Sequence, residues 1–150
     1  MRQQCLIAAS PIPPRSGFAR QPARTPAARA RTVLLVDPHD DTREIYGALL
    51  RHGGFHVLEA SSGTQGARMA RDHRPAVVVT ELRLPELDGW SLLARIREDP
   101  ALTSTAVLAV TAAVADVTRA DALTRGFAEL LPKPCTPQRV LDEVRRLAAK

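Results

Sequence analysis

The chain has 150 residues, 45% of them hydrophobic, which suits one ordinary domain with a real core. No apolar run approaches the length of a membrane span, and Cys5 and Cys135, far apart in sequence, suggest no disulfide framework, so a reduced cytoplasmic setting is expected. The net charge of +5 is uneven: residues 1–31 hold six arginines and no acid, leaving 15 basic residues against 16 acids in 32–150.

The first 31 residues also hold Pro11, Pro13, Pro14, Pro22 and Pro26 among Ala, Ser and Arg, with neither helical nor strand periodicity. Such a segment buries too little apolar surface to offset its ordering entropy, and a disordered basic arm is expected. A solvated tail or a start codon placed too far upstream, a phosphate- or membrane-attracted arm, and a targeting peptide are three readings of it.

From Thr32 onward short apolar runs alternate with helical patterns. Val33–Val36 reads as a strand and Asp41–His52 as a helix, with Ile45, Leu49 and Leu50 toward the core, Asp41 and Glu44 at capping-box spacing, and Gly53-Gly54 as the stop. Phe55–Leu58 is the second strand and Thr64–Asp72 the second helix; Ala76–Thr80 is the third strand, and Gly89–Glu98 a helix capped by Asp88. Thr105–Val110 and Phe127–Leu131 are the last strands. They are followed by helices over Val114–Arg125 and over Pro137–Ala149, the latter with Thr136 as N-cap and Pro137 in its first turn.

Five βα units in succession imply a parallel sheet with right-handed crossovers and helices on both faces, and the doubly wound order 2-1-3-4-5 is the candidate at this size. In open α/β sheets chemistry collects at the carboxyl edge, where Asp37, Glu81, Thr111 and Lys133 each end a strand. Two carboxylates there attract a hard cation such as Mg2+, and Lys and Thr can hold a phosphoryl oxygen. His52 and His56 are separated by Gly53-Gly54, so no helix presents both to a metal. No glycine-rich phosphate loop or nucleophile elbow points to another enzyme class.

This pattern resembles the receiver domain of two-component response regulators over about residues 32–150. The resemblance rests on Val33-Leu34-Leu35-Val36-Asp37, Leu84-Pro85-Glu86-Leu87-Asp88-Gly89, Val110-Thr111-Ala112 and Leu131-Pro132-Lys133-Pro134. It implies a flavodoxin-like (βα)5 fold and a cis Lys133-Pro134 bond. It also implies signalling rather than enzymatic work, with a histidine kinase or another response regulator as partner. Homodimerisation through the fourth helix, fifth strand and fifth helix is a further implication.

The chain departs from the family pattern at three places. Glu81 stands at the phosphoacceptor aspartate, Pro38 at the second acid after the first strand, and Leu130 at the aromatic switch position. A metal site of Asp37 and Glu81 is then weak or lost, with Mg2+ binding weak at most, while Thr111, Lys133 and Leu130 hold the phosphoryl-sensing positions. Glu81, one methylene longer than aspartate, can reach toward Lys133 and Thr111 and form a standing pair with Lys133 that imitates part of the activated state, so the expectation is a phosphorylation-independent receiver. It has no output domain, since the sequence stops at the fifth helix, and nucleic acid is not its expected ligand. A working phosphoacceptor receiver and a nucleic-acid adaptor using the arginine arm are the alternatives.

Overall fold

The computed structural model describes residues 25–115 and 117–150. Five parallel strands, β1 (Thr32–Val36), β2 (His56–Ala60), β3 (Val77–Thr80), β4 (Ala106–Thr111) and β5 (Glu129–Pro132), form one sheet in the order β2-β1-β3-β4-β5. Helices α1 (Asp40–His52), α2 (Gly63–His73), α3 (Gly89–Glu98), α4 (Arg119–Arg125) and α5 (Pro137–Ala148) follow the strands in turn. This is the expected doubly wound α/β architecture. No described helix is long and apolar enough to cross a membrane.

The period of two along each strand divides the core. Val33, Leu35, Val77, Val79, Leu108 and Val110 face one layer with Tyr46 and Leu50 of α1 and Val140, Val144 and Leu147 of α5. Leu34, Val36, Val78, Val107 and Ala109 face the other, with Ala70 of α2, Leu92, Leu93 and Ile96 of α3, and Ala122 of α4. Central strands covered on both faces must be apolar throughout, which is why β1 and β3 read as unbroken aliphatic runs.

Two glycines place the loops at the carboxyl edge. A Cβ on Gly89 would lie 2.6 Å from the Glu81 carbonyl oxygen, and one on Gly63 only 1.6 Å from that of Leu87. The Asp-Gly pair therefore lets α3 start directly against the end of β3, with Asp88 capping it by accepting from the Ser91 amide at 2.8 Å. Thr136 caps α5 with Pro137 in the first turn, and Lys133-Pro134 is cis, both as expected.

Several boundaries move. β2 starts one residue late and runs to Ala60 because its pairing with β1, Thr32↔His56 through Val36↔Ala60, outweighs the polarity of Glu59. β4 runs from Ala106 to Thr111, since the Thr105 hydroxyl is spent on the Pro75 carbonyl at 2.8 Å. α2 begins at Gly63, capped by Ser62.

Three local expectations fail. The Asp41–Glu44 capping box does not form; α1 begins at Asp40 behind an N-cap, His39, whose side chain makes no cap bond. Ile45 is 54% exposed and Tyr46 is buried in its place, while Leu49 and Leu50 pack toward the core as expected. Tyr46 donates its hydroxyl to the Cys135 carbonyl at 3.0 Å, a contact across 89 residues that ties α1 to the loop before α5. α4 is only Arg119–Arg125, because Thr118 and Asp121 close a full capping box there and leave Val114 outside the helix, 46% exposed. Residues 1–24 of the expected disordered arm lie outside the described residues, and its end forms an exposed helical turn, Pro26–Ala30, capped by Thr25.

Candidate functional site

Four of the strand-end residues singled out from the sequence meet at the carboxyl edge. Glu81 follows β3 directly and is held in the sheet by its amide, which donates to the Val36 carbonyl at 3.0 Å. Asp37 follows β1, its amide donating to Ala60 at 3.1 Å. Thr111 ends β4 and accepts the Lys133 amide on its own carbonyl at 2.8 Å, so the β5 lysine is fixed relative to the threonine by backbone alone. Asp37 and Glu81 are 3% and 5% exposed.

Their side chains form one closed network. Lys133 Nζ lies 2.8 Å from Asp37 Oδ2 and 3.0 Å from Glu81 Oε2. Glu81 Oε1 accepts from the Thr111 hydroxyl and from the Leu82 amide, the latter at 2.7 Å. Thr111 Oγ1 in turn accepts the Ala113 amide at 3.0 Å, which orients its proton toward the carboxylate. Burial works against the Lys133 ammonium, but its bonds to Asp37 and Glu81 outweigh that and hold its pKa above the ordinary lysine value. Two buried carboxylates thus share one ammonium, and every polar atom of the glutamate is satisfied by protein.

Two residues at the site were not anticipated. His39 donates its amide to Asp37 Oδ1 at 2.9 Å and places Nδ1 3.1 Å from the same oxygen. Arg43 donates to the Asp37 carbonyl at 2.7 Å and pairs with Asp40. The Asp40–Arg43 spacing of three on a helix was the one available signal for the pair; nothing in the sequence ties Arg43 to Asp37. Asp40 and Asp41 sit in the first turn of α1, where the helix dipole favours acids.

Leu130 lies in β5, opposite Ala109 of β4, and is buried among the side chains beneath α3 and α4. It carries no polar tip to exchange with solvent. Nearby, Trp90 meets Phe127 edge-on at 5.2 Å between centroids and carries the Arg125 guanidinium 4.4 Å above its ring, joining α3 to α4. The other α4 tie is Arg119, bonded to both Glu129 oxygens at 2.5 and 2.9 Å.

Mg2+ requires near-octahedral oxygen coordination, with carboxylates supplying the charge. Here Pro38 offers no carboxylate, and the Lys133 ammonium already sits between the two acids that remain. Among the described residues no group of three or more His, Cys, Asp or Glu is placed to hold a metal ion. The donor set does not fit a well-bound Mg2+.

The chain matches the family model for the response regulator receiver domain over residues 33–145. An uncharacterised 14.6 kDa protein of Leptolyngbya boryana is 30% identical over 76% of this chain and 87% of its own length. A response regulator receiver protein of Anaeromyxobacter sp. is 34% identical over 75% of this chain and 46% of its own, so the chain spans about half of that relative. Among solved structures, the receiver domain of a Pseudomonas aeruginosa sensor histidine kinase, with a magnesium ion coordinated in its active site cleft, superposes with a TM-score of 0.73 at 27% identity. That match covers 80% of this chain and 98% of the other. A putative response regulator of Chloroflexus aurantiacus gives 0.74 at 28% identity, covering 80% and 98%.

Proposed function

Because the chain belongs to the response regulator receiver family, we propose that it serves two-component signalling as a protein-binding receiver whose state does not depend on phosphorylation. The observation that carries this reading is the Glu81 carboxylate, bonded at once by the Thr111 hydroxyl and the Lys133 ammonium. In the family those two groups hold the phosphoryl oxygen on the acceptor aspartate. Glutamate extends the carboxylate by about one C–C bond, roughly 1.5 Å, and delivers its oxygens to the place that a phosphoryl group would fill. The imitation is partial, since a carboxylate bears one charge and a phosphoryl group about two.

Phosphoryl transfer to this site is disfavoured for two further reasons. A nucleophile misplaced by about 1 Å loses on the order of a hundredfold in an in-line reaction. Mg2+, which would neutralise the transferring group, binds weakly with Pro38 in place of an acid. The protein is thus no enzyme and no efficient phosphoacceptor. Leu130 takes no part in an aromatic rotation, so the α4–β5–α5 face stays in one arrangement, fastened by the Arg119–Glu129 bridge. That face would bind a histidine kinase, another response regulator or a second copy of this chain, in the cytoplasm, where Cys135 stays reduced.

The test is intact-protein mass after incubation with a small acyl phosphate and Mg2+, for wild type and Glu81→Asp. Wild type is expected to gain no phosphoryl group, while the aspartate variant gains one. An acid-stable, base-labile phosphate on wild type would establish the family's ordinary phosphotransfer function instead.

A further inference from the structure

Two surfaces take no part in the Glu81 site. The first is the outer face of α1. Residues three and four apart share one face of a helix, and Asp41, Glu44, Ile45 and Ala48 form such a stripe, all of them exposed. Ile45 is one of two exposed large hydrophobics among the described residues. Asp40 is taken up by Arg43. Asp41 and Glu44, left over by the capping box that does not form, bond to no other side chain among the described residues.

The second is a cleft of about 590 Å³ between α2 and α3. Ile96 and Leu102, 1% and 2% exposed, make its floor, and the short side chain of Ala67 leaves it open. Arg68 and Arg71 line it from α2, and Arg95 from α3. Arg68 and Arg95 have no side-chain partner among the described residues, and Arg71 has only its sequence neighbour Asp72, at 3.6 Å. Arg97, by contrast, is turned to the Thr105 and Gly126 carbonyls. Of the acids at the cleft, Asp99 caps the Pro100–Leu102 turn through the Ala101 amide at 2.9 Å, which leaves Glu98 as the one uncommitted carboxylate there among the described residues.

We propose that α1 of one copy of this chain docks in the α2–α3 cleft of the next. The two surfaces match in pattern and in charge. Thr64, Ala67, Arg68 and Arg71 repeat on α2 the spacing of Asp41, Glu44, Ile45 and Ala48 on α1, so each stripe covers two turns, about 10 Å. Ile45 supplies an apolar anchor for the floor. Asp41 and Glu44 bring two carboxylates to three guanidiniums, whose forked donors suit carboxylate oxygens. A free phosphate ligand would meet the arginines but leave the apolar floor uncovered. α1 packs with α5 on one layer of the core, and α2 with α3 on the other. A chain therefore cannot fill its own cleft, and two chains cannot fill each other's at once. The contact is head-to-tail, with a free α1 at one end and a free cleft at the other, so it extends with concentration instead of closing at a dimer. Two turns of helix bury little area, and the association is weak. This inference does not depend on how the Glu81 site works.

The experiment is sedimentation velocity of the full chain from about 10 μM to 1 mM, the range in which weak contacts become populated. The weight-average mass should rise past that of a dimer, and fall back when salt is raised from about 50 to 500 mM. Glu44→Gln with Ile45→Ser, and separately Arg68→Gln with Arg95→Gln, should each weaken association by at least about tenfold. Mixed in equal amounts, the two variants hold one intact α1 and one intact cleft between them, and should form a dimer and nothing larger. All four positions are exposed, and far-UV circular dichroism checks that each variant is folded. A wild type that stays monomeric at about 1 mM, self-association unchanged in both variants, or a mixture that stays monomeric would each overturn the proposal.

Discussion

Replacing Lys133 by Met tests the closed network most directly. Methionine keeps the length and apolar stem of the side chain but removes the one cation that, among the described residues, bridges two carboxylates that are 3% and 5% exposed. Breaking a buried ion pair from one side costs about 3–5 kcal/mol, because the charge left behind stays desolvated. The lysine side chain is itself 17% exposed, which sets the expectation at the low end, about 3 kcal/mol. With a urea slope of about 1.5 kcal/mol/M, the midpoint should fall by about 2 M.

A double-mutant cycle with Glu81→Gln assigns the loss to the pair. The combined variant should recover at least about 1 kcal/mol relative to the sum of the two single changes. The pH dependence has a definite sign. The folded pKa of Lys133 lies above its unfolded value, so its contribution is complete below the unfolded value of about 10.4 and fades as pH rises through the folded one. The gap between wild type and Lys133→Met should therefore stay constant from pH 6 to 9 and close only in strong alkali. A cost under about 1 kcal/mol at neutral pH, or a cycle without coupling, would refute the idea that one ammonium holds both acids.

Two further substitutions probe the surroundings. Glu86 has φ +70, a left-handed conformation that costs a non-glycine residue about 1 kcal/mol, so Glu86→Gly should raise the thermal midpoint by several degrees; a drop would show that its side chain matters more than its backbone. Hydrogen bonding from Arg119 holds the Glu129 pKa below the ordinary glutamate value, so the bridge stabilises the fold above that ordinary value and is lost as pH falls through the depressed one. Urea midpoints of wild type and Glu129→Gln should differ at neutral pH and converge in acid, and a gap that widens below about pH 4 would contradict the bridge.

The site was readable in outline because its members end strands. An aliphatic run that stops at Asp37 or at Glu81, a Thr after a run and a Lys before a Pro each locate one residue without reference to the others. Strand order then brings them to one edge. The extra methylene of Glu81 pointed it toward Lys133 and Thr111; what could not be read was which oxygen meets which group. That Oε1 meets Thr111 and Oε2 meets Lys133 follows from β4 lying beside β3, and β5 beside β4, in a particular register. His39 and Arg43 reach Asp37 only through the shape of the β1–α1 turn.

The order of five βα units, the identity of the strand-end residues and the missing second acid at Pro38 belong to the linear sequence, because each is a local matter of apolar period, breaker residues or residue type. The burial of Tyr46 in place of Ile45, the late start of α4 and the atom-by-atom bonding of Glu81 belong to the tertiary structure. Adjacent positions on a helix point about 100° apart, and Tyr46 rather than Ile45 faces inward because its ring packs in the layer shared with α5 and its hydroxyl meets a carbonyl 89 residues away. The fourth helix likewise had apolar residues enough to begin at Val114, and the capping box at Thr118 and Asp121 decided otherwise. Local pattern names what a segment can be, and long-range packing chooses among the nearly equal alternatives that remain.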